Sequence, residues 1–418
     1  MTDRTSDTAA LGGAADQESP YAWLRLVLSL LLSAVGCVGM WSAAVTLPAV
    51  QTEFAVSRAD ASLPYTVSAI SFVFGQVMMG RLADRFGVAV PAVIGTLCLA
   101  LGYVAASYAS SLWQFTAAYG LLIGFLGCTA TFGPVIADIS LWFTRRRGIA
   151  VAIVSCGSYL AGTVWPPVIQ HFTQTAGWRQ THFWIGVFAL VTMLPLALSL
   201  RRRAPVLHVP LRAPGHSAAG LHAPIGLSPP AIQGLLMVAG VACCVAMSMP
   251  QVHIVALCAD LGYGAQRGAE MLSVMLGAGI ISRLASGWVS DRVGPLVTLL
   301  IGSGMQAVSL LLYLPFDGLM SLYIVSALFG LFQGGIVPSY ALIIRENFPP
   351  AEAGTRITSV LSATVAGMAL GGWISGALYD LTLSYQAAFL NGFAWNLLNL
   401  AIAGWLLAKL QRRRVATI

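Results

Sequence analysis

Residues 80–87 read GRLADRFG, and residues 286–294 read SGWVSDRVG. Each closes an apolar run with the order Asp-Arg-x-Gly, and 207 positions separate Asp84 from Asp291, close to half of the 418-residue chain. WFTRRRGIA at 142–150 and FPPAEAGTRIT at 348–358 hold equivalent places in the two halves. The chain therefore reads as a duplicated unit. Two six-span copies in the same orientation imply a pseudo-twofold axis along the membrane normal, with a cavity between the copies near mid-membrane.

The composition agrees. With 57% hydrophobic residues, 9% charged residues and a mean hydropathy of +0.80, too little polar material exists to cover soluble domains of this length. The apolar runs are long and continuous, which predicts helices rather than the short alternating strands of a barrel. The spans expected are 24–47, 62–80, 90–108, 113–138, 148–169, 183–200, 231–258, 268–289, 295–314, 318–343, 354–379 and 386–408, an all-α membrane protein of twelve helices. The net charge of +7 is spread between apolar runs, without interleaved aromatics, so no nucleic-acid partner is expected. The seven cysteines lie in apolar segments without CxxC spacing and read as small core residues. The first apolar run is too long for a signal-peptide core, so no cleavage is expected.

Nearly all arginines fall on the side of the chain termini, including the triplets 145–147, 201–203 and 412–414, whereas the opposite loops receive Arg58, Arg179 and Arg267. The positive-inside rule then places both termini in the cytoplasm. Residues 201–230 are the longest polar interval and divide six spans from six, giving a tail at 1–20, bundles at 21–200 and 231–408, a linker at 201–230 and a tail at 409–418. His208, His216 and His222 lie in the linker at loose spacing, with nothing to fix a metal geometry, so neither metal nor cofactor is expected. A nucleophile with its base is also missing from the membrane segments, which argues against an enzyme.

The motif G-x-L-A-D-R-x-G, its weaker copy and the twelve-span layout resemble the major facilitator superfamily over essentially the whole chain. WFTRRRGIAVAIVSCGSYLAGTVWPPV at 142–168 resembles the approach to span 5 of monocarboxylate and oxalate/formate-type carriers, and ISRLASGWVSDRVG resembles their span 8. The resemblance implies two pseudo-symmetric six-helix bundles that carry small organic anions by alternating access, in a bacterial cytoplasmic (inner) membrane. Gly80, Asp84, Arg85, Gly87, Asp291 and Arg292 form the gating motif of such a carrier. Physically, a carboxylate at a helix end can pair with arginines and a helix N-terminus in one state and release them in the other. The alternative is that these charges only anchor loops.

Arg283 stands in the otherwise apolar or small run GAGIISRLASGWV, about 5 Å past the midplane for a 20-residue span beginning near Glu270. Toward lipid such a charge costs several kcal/mol, whereas an inward face supplies water, a counter-charge or an anionic ligand. A planar guanidinium suits a carboxylate in charge and shape. The competing reading is that it snorkels or pairs with Asp291. In the relatives the matching arginine binds the substrate carboxylate, and an acid matching Asp260 takes part in proton coupling with it. By charge balance, an anion arriving at the arginine favours protonation of that acid. Asp260 also reads as a turn residue in Asp-Leu-Gly. His253 recurs in the relatives and is a candidate for substrate or proton, against the alternative of a hydrogen-bonded core histidine. Tyr119, Tyr159 and Tyr340 are candidate hydroxyl donors or helix contacts.

Two absences narrow the class. Gly279 stands where animal monocarboxylate carriers have an acid one turn before the arginine, and 27–48 lacks their span-1 cation. Residues 357–379 lack the second cation of oxalate-type exchangers, which argues for one carboxylate. The expected function is secondary transport of a small monocarboxylate such as lactate or pyruvate, with a proton, by a monomer surrounded by lipid. The alternatives are exchange of dicarboxylates such as oxalate, or export of other organic compounds.

Overall fold

The computed structural model describes residues 18–143, 146–202 and 227–416. Most of the tail at 1–20, most of the linker with His208, His216 and His222, and the last two residues lie outside the described residues. Twelve helical stretches among the described residues are long and apolar enough to cross a membrane: spans 1 to 6 are Pro20–Phe54, Leu63–Phe86, Ala89–Ser107, Leu112–Trp142, Gly148–Ala176 and Trp178–Ser199. Spans 7 to 12 are Pro229–Asp260, Ala265–Val293, Pro295–Leu312, Leu319–Asn347, Gly354–Thr382 and Gln386–Arg412. The first six and the last six form the two pseudo-symmetric groups of the fold. Span 3 packs on span 6 as span 9 packs on span 12, and span 2 packs on span 4 as span 8 packs on span 10.

Several helices outrun the apolar runs that predict them, because their polar ends project past the hydrocarbon layer and stop where the backbone turns. Span 5 ends at Gly177, whose φ of 83° an L side chain rarely adopts, and span 6 begins directly after it at Trp178 rather than at 183. Span 1 starts early because Pro20 occupies its first turn and the Ser19 hydroxyl accepts from the Ala22 N–H at 3.3 Å. The face that carries the starts of spans 1, 3, 5, 7, 9 and 11 is called here the terminal face, and its opposite the distal face.

Four spans are interrupted near mid-membrane. Span 1 breaks at Cys37 and span 5 at Cys156. Span 4 is a π-helix over Ala118–Cys128 and turns at Thr131–Phe132, and span 10 turns at Gly334–Gly335. Such breaks alter the helical hydrogen-bond ladder, and in a membrane that is tolerated only inside protein or beside a polar cavity. The two groups meet along span 5 against span 8, span 2 against span 11, and span 1 against span 7.

Candidate functional site

Gly279 is the middle residue of span 8, and Arg283 lies one turn beyond it, about 6 Å toward the terminal face. The half-buried Arg283 side chain reaches both groups of spans. Its Nη1 donates to the Ser155 carbonyl at 3.0 Å, and its Nε donates weakly to the Gly334 carbonyl at 3.5 Å. Both acceptors stand at helix breaks, Ser155 just before Cys156 and Gly334 within the turn of span 10. The guanidinium carbon lies 4.4 Å from the Tyr159 ring centre, a cation–π contact across the groups. Among the described residues no carboxylate lies within ion-pair distance of Arg283, Asp291 included.

Tyr159 also accounts for Gly279. A Cβ at that glycine would meet Tyr159 Cε1 at 2.5 Å, so the ring fills the space a side chain there would need. Where the resemblance expects an acid before the arginine, this chain has an aromatic face instead. Next to Gly334, the buried Gln333 amide oxygen accepts from Gln251 Nε2 at 2.8 Å, while Gln251 Oε1 and Gln333 Nε2 have no partner. Flipping both amides exchanges the roles but still leaves one donor and one acceptor unmet, an arrangement suited to a polar ligand or water.

Asp260 and His253 lie together, but apart from Arg283. At the distal face Arg58, in the connection between spans 1 and 2, donates from Nη1 to Asp260 Oδ2 at 3.0 Å and from Nη2 to Oδ1 at 3.2 Å. Arg58 Nη1 also donates to the Tyr385 hydroxyl at 2.6 Å, and its guanidinium stacks 4.5 Å from the Tyr379 ring centre. Asp380 accepts the Arg58 and Ala59 backbone N–H groups, each at 2.8 Å. His253 Nε2 lies 2.8 Å from the Gly372 carbonyl, which can only accept, so Nε2 carries the hydrogen and Nδ1 faces the Tyr385 hydroxyl at 3.4 Å. Burial opposes the Arg58 charge, but Tyr385 and Asp260 outweigh it and hold the guanidinium above its ordinary pKa. Burial pushes the Tyr385 phenol up, against the pull of Arg58.

The other tyrosines stay within their own groups. The Tyr119 hydroxyl meets Ser42 Oγ at 2.8 Å and His182 Nε2 at 2.7 Å inside the first six spans. The Tyr340 hydroxyl donates to Asn399 Oδ1 at 2.8 Å inside the last six. At the terminal face Asp84, Arg85, Asp291 and Arg292 are exposed, Gly80 faces open space, and Gly87 and Gly294 turn the chain at φ of 85° and 86°. Asp84 and Asp291 make no hydrogen bond or ion pair with described residues, while Arg292 stacks 3.7 Å from the Trp288 ring centre.

Sequence reading missed Arg58 as a partner of Asp260, along with Tyr385, Asp380, the Ser155 and Gly334 carbonyls and the glutamine pair. The one available signal was an arginine on the side that holds only two others, Arg179 and Arg267. It also missed Arg25, which lies just before the stretch searched for a span-1 cation. Arg25 is 1% exposed and pairs with Asp138 through Nε at 2.7 Å and Nη2 at 2.9 Å.

The family model described as Major Facilitator Superfamily matches residues 29–321 and 235–417. Monocarboxylate transporter 13 of Bos taurus is 30% identical over 326 residues, covering 76% of this chain and 73% of its own length. The MFS-type transporter opdF of Penicillium oxalicum is 26% identical over 345 residues, covering 78% of this chain and 77% of its own. Among solved structures, the peptide transporter POT in complex with sulfate superposes with a TM-score of 0.73 at 13% identity, covering 97% of this chain and 98% of that one. That likeness concerns the fold.

Proposed function

Because the chain belongs to the Major Facilitator Superfamily of membrane transporters, we propose that it carries a small monocarboxylate of the lactate or pyruvate type together with a proton, by alternating access. The observation that carries this reading is Arg283, a charge near mid-membrane whose contacts are two neutral carbonyls and a ring. Carbonyls compensate a buried cation less well than a carboxylate does, so an anionic ligand that replaces them gains a charge-assisted, two-pronged bond. The relative named for monocarboxylate transport supports the choice of anion. The absence of lysine and arginine from 357–379 favours one carboxylate over two.

In this reading the bundles at 21–200 and 231–408 rock about the site, the terminal face is cytoplasmic, and the distal mouth is closed by the Arg58 cluster. Tyr159 is the tyrosine nearest the substrate, since the hydroxyls of Tyr119 and Tyr340 are engaged elsewhere. Asp260, with His253 beside it, is the proton site. The gating motif is in its released state, with Asp84 and Asp291 exposed.

The test is uptake of labelled L-lactate and pyruvate into proteoliposomes with and without an inward pH gradient. Gradient-driven uptake that falls at least about 100-fold in Arg283→Ala, with folding retained, is the expected result. No uptake of either acid by folded wild type defeats these substrates, and unchanged uptake in the variant defeats the role of Arg283.

A further inference from the structure

We propose that Arg58 couples the proton on Asp260 to closure of the distal mouth: pairing with Arg58 closes the mouth and displaces the proton, and protonation of Asp260 releases it. The proposal rests on the reading of Asp260 as the proton site and adds the partner that the sequence did not supply. Arg58 belongs to the first six spans, and its carboxylate and hydroxyl partners belong to the last six. The pair is accordingly made when the mouth closes and broken when it opens.

The cluster is built for that exchange. Arg58 is held in position by its backbone, since Asp380 accepts the N–H groups of Arg58 and Ala59, and by Tyr379 beneath its guanidinium. The Arg58 side chain is 8% exposed, whereas that of Asp260 is 32% exposed, so water and protons reach the acid while the cation stays enclosed. Further closure comes from Thr66, whose hydroxyl donates to the Ala369 carbonyl at 3.2 Å, and from Gly376, which packs against the Ala59 backbone. The step balances simply. With the mouth open, Asp260 takes a proton from water. On closing, the carboxyl O–H breaks, its proton passes to water between the two groups of spans and leaves toward the terminal face, and the carboxylate accepts two N–H bonds from Arg58. By linkage, whatever favours the pair disfavours the proton, and the reverse.

The charged and titratable groups facing Asp260 are Arg58, His253, Tyr379, Asp380 and Tyr385. Arginine and the tyrosines do not change charge near neutral pH. His253 donates to Gly372 and reaches Asp260 only through Tyr385 and Arg58. Asp380 is the competing acid, and its partners are neutral N–H groups.

Distance distributions between spin labels at Thr52→Cys and Leu381→Cys, both exposed at the distal face, test this in the absence of any carboxylic acid. The background is Cys98→Ser, since the other six native cysteines are buried. Wild type is expected to shift from short to long distances as pH falls. Asp260→Asn and Arg58→Gln should show the long distance at every pH, and Arg58→Lys should keep the switch at a shifted midpoint. If the single variants do not fold, the charge-swapped Arg58→Asp with Asp260→Arg is expected to restore the short distance at high pH.

A wild-type pH shift preserved in Asp260→Asn, or abolished by Asp380→Asn while Asp260→Asn keeps it, overturns the proposal. So does a charge-swapped protein that stays open at high pH. A switch carried by Asp260 in a protein that takes up neither lactate nor pyruvate supports the role of Arg58 and defeats the substrate reading instead.

Discussion

Arg58 and Arg283 both reach from one group of six spans to the other, and they are satisfied in opposite ways. Arg58 has a bidentate carboxylate, a phenol and an aromatic face. Arg283 has carbonyls released at two helix breaks and one ring, with no acid among the described residues. A cation that already holds its counter-charge contributes to closing the molecule. One that lacks it gains from whatever anion arrives. The difference in partners is what the proposed division into gate and binding site rests on, since the two side chains are chemically identical.

That contrast can be broken at Arg283 first. Arg283→Lys keeps the charge but loses the planar fork, and kcat/KM for the acid proposed as substrate is expected to fall about 10- to 100-fold, corresponding to about 1.4–2.8 kcal/mol. Thermal stability should stay near that of wild type, because no carboxylate is stranded. A Tm loss as large as that of Arg25→Ala would make Arg283 a structural residue after all. Arg25→Ala strands Asp138, whose side chain is 10% exposed, and should cost about 3–5 kcal/mol, read as lowered Tm in detergent.

A smaller effect sharpens the comparison. Tyr159→Leu removes the ring beneath Arg283 and should raise KM about 3- to 10-fold, in line with about 0.5–1.5 kcal/mol for a partly desolvated cation–π contact. Tyr159→Phe keeps the face and should stay within about 2-fold of wild type in the same uptake assay. If Phe is as damaging as Leu, the hydroxyl rather than the ring matters.

The smallest change is expected at the terminal face. Asp84 has no partner among the described residues, so Asp84→Asn should leave stability unchanged within about 0.5 kcal/mol while slowing transport a few-fold if the proposed latch is made in another state. Asp260→Asn at the opposite face lacks that protection, since here the pair is formed.

Much of this was legible in the residues. Twelve apolar runs, the repeated Asp-Arg-x-Gly and the excess of arginine on one side depend on local composition, and a helix obeys local composition when lipid leaves its backbone no other hydrogen-bond partners. The depth of Arg283 followed by counting, because rise per residue is fixed. Its lack of an acid before the arginine was visible as Gly279, and the tertiary structure added the reason, the Tyr159 ring that occupies that space.

The partners of the charges were not legible. The resemblance linked Asp260 to Arg283, 23 residues away on the next helix, whereas the partner it meets is Arg58, 202 residues away in the other half. Which one it meets depends on the rotation and tilt of spans 1, 7 and 11, set by close packing such as Gly376 on Ala59. The acceptors of Arg283 are backbone carbonyls, which every residue has, so no side-chain pattern could mark Ser155 or Gly334. Sequence by itself determined the number of spans, their duplication and the depth of Arg283 along its span, all one-dimensional properties of a chain in lipid. Only the tertiary structure decided which charge meets a carboxylate and which meets none among the described residues, because that is a matter of long-range packing between helices distant in the chain.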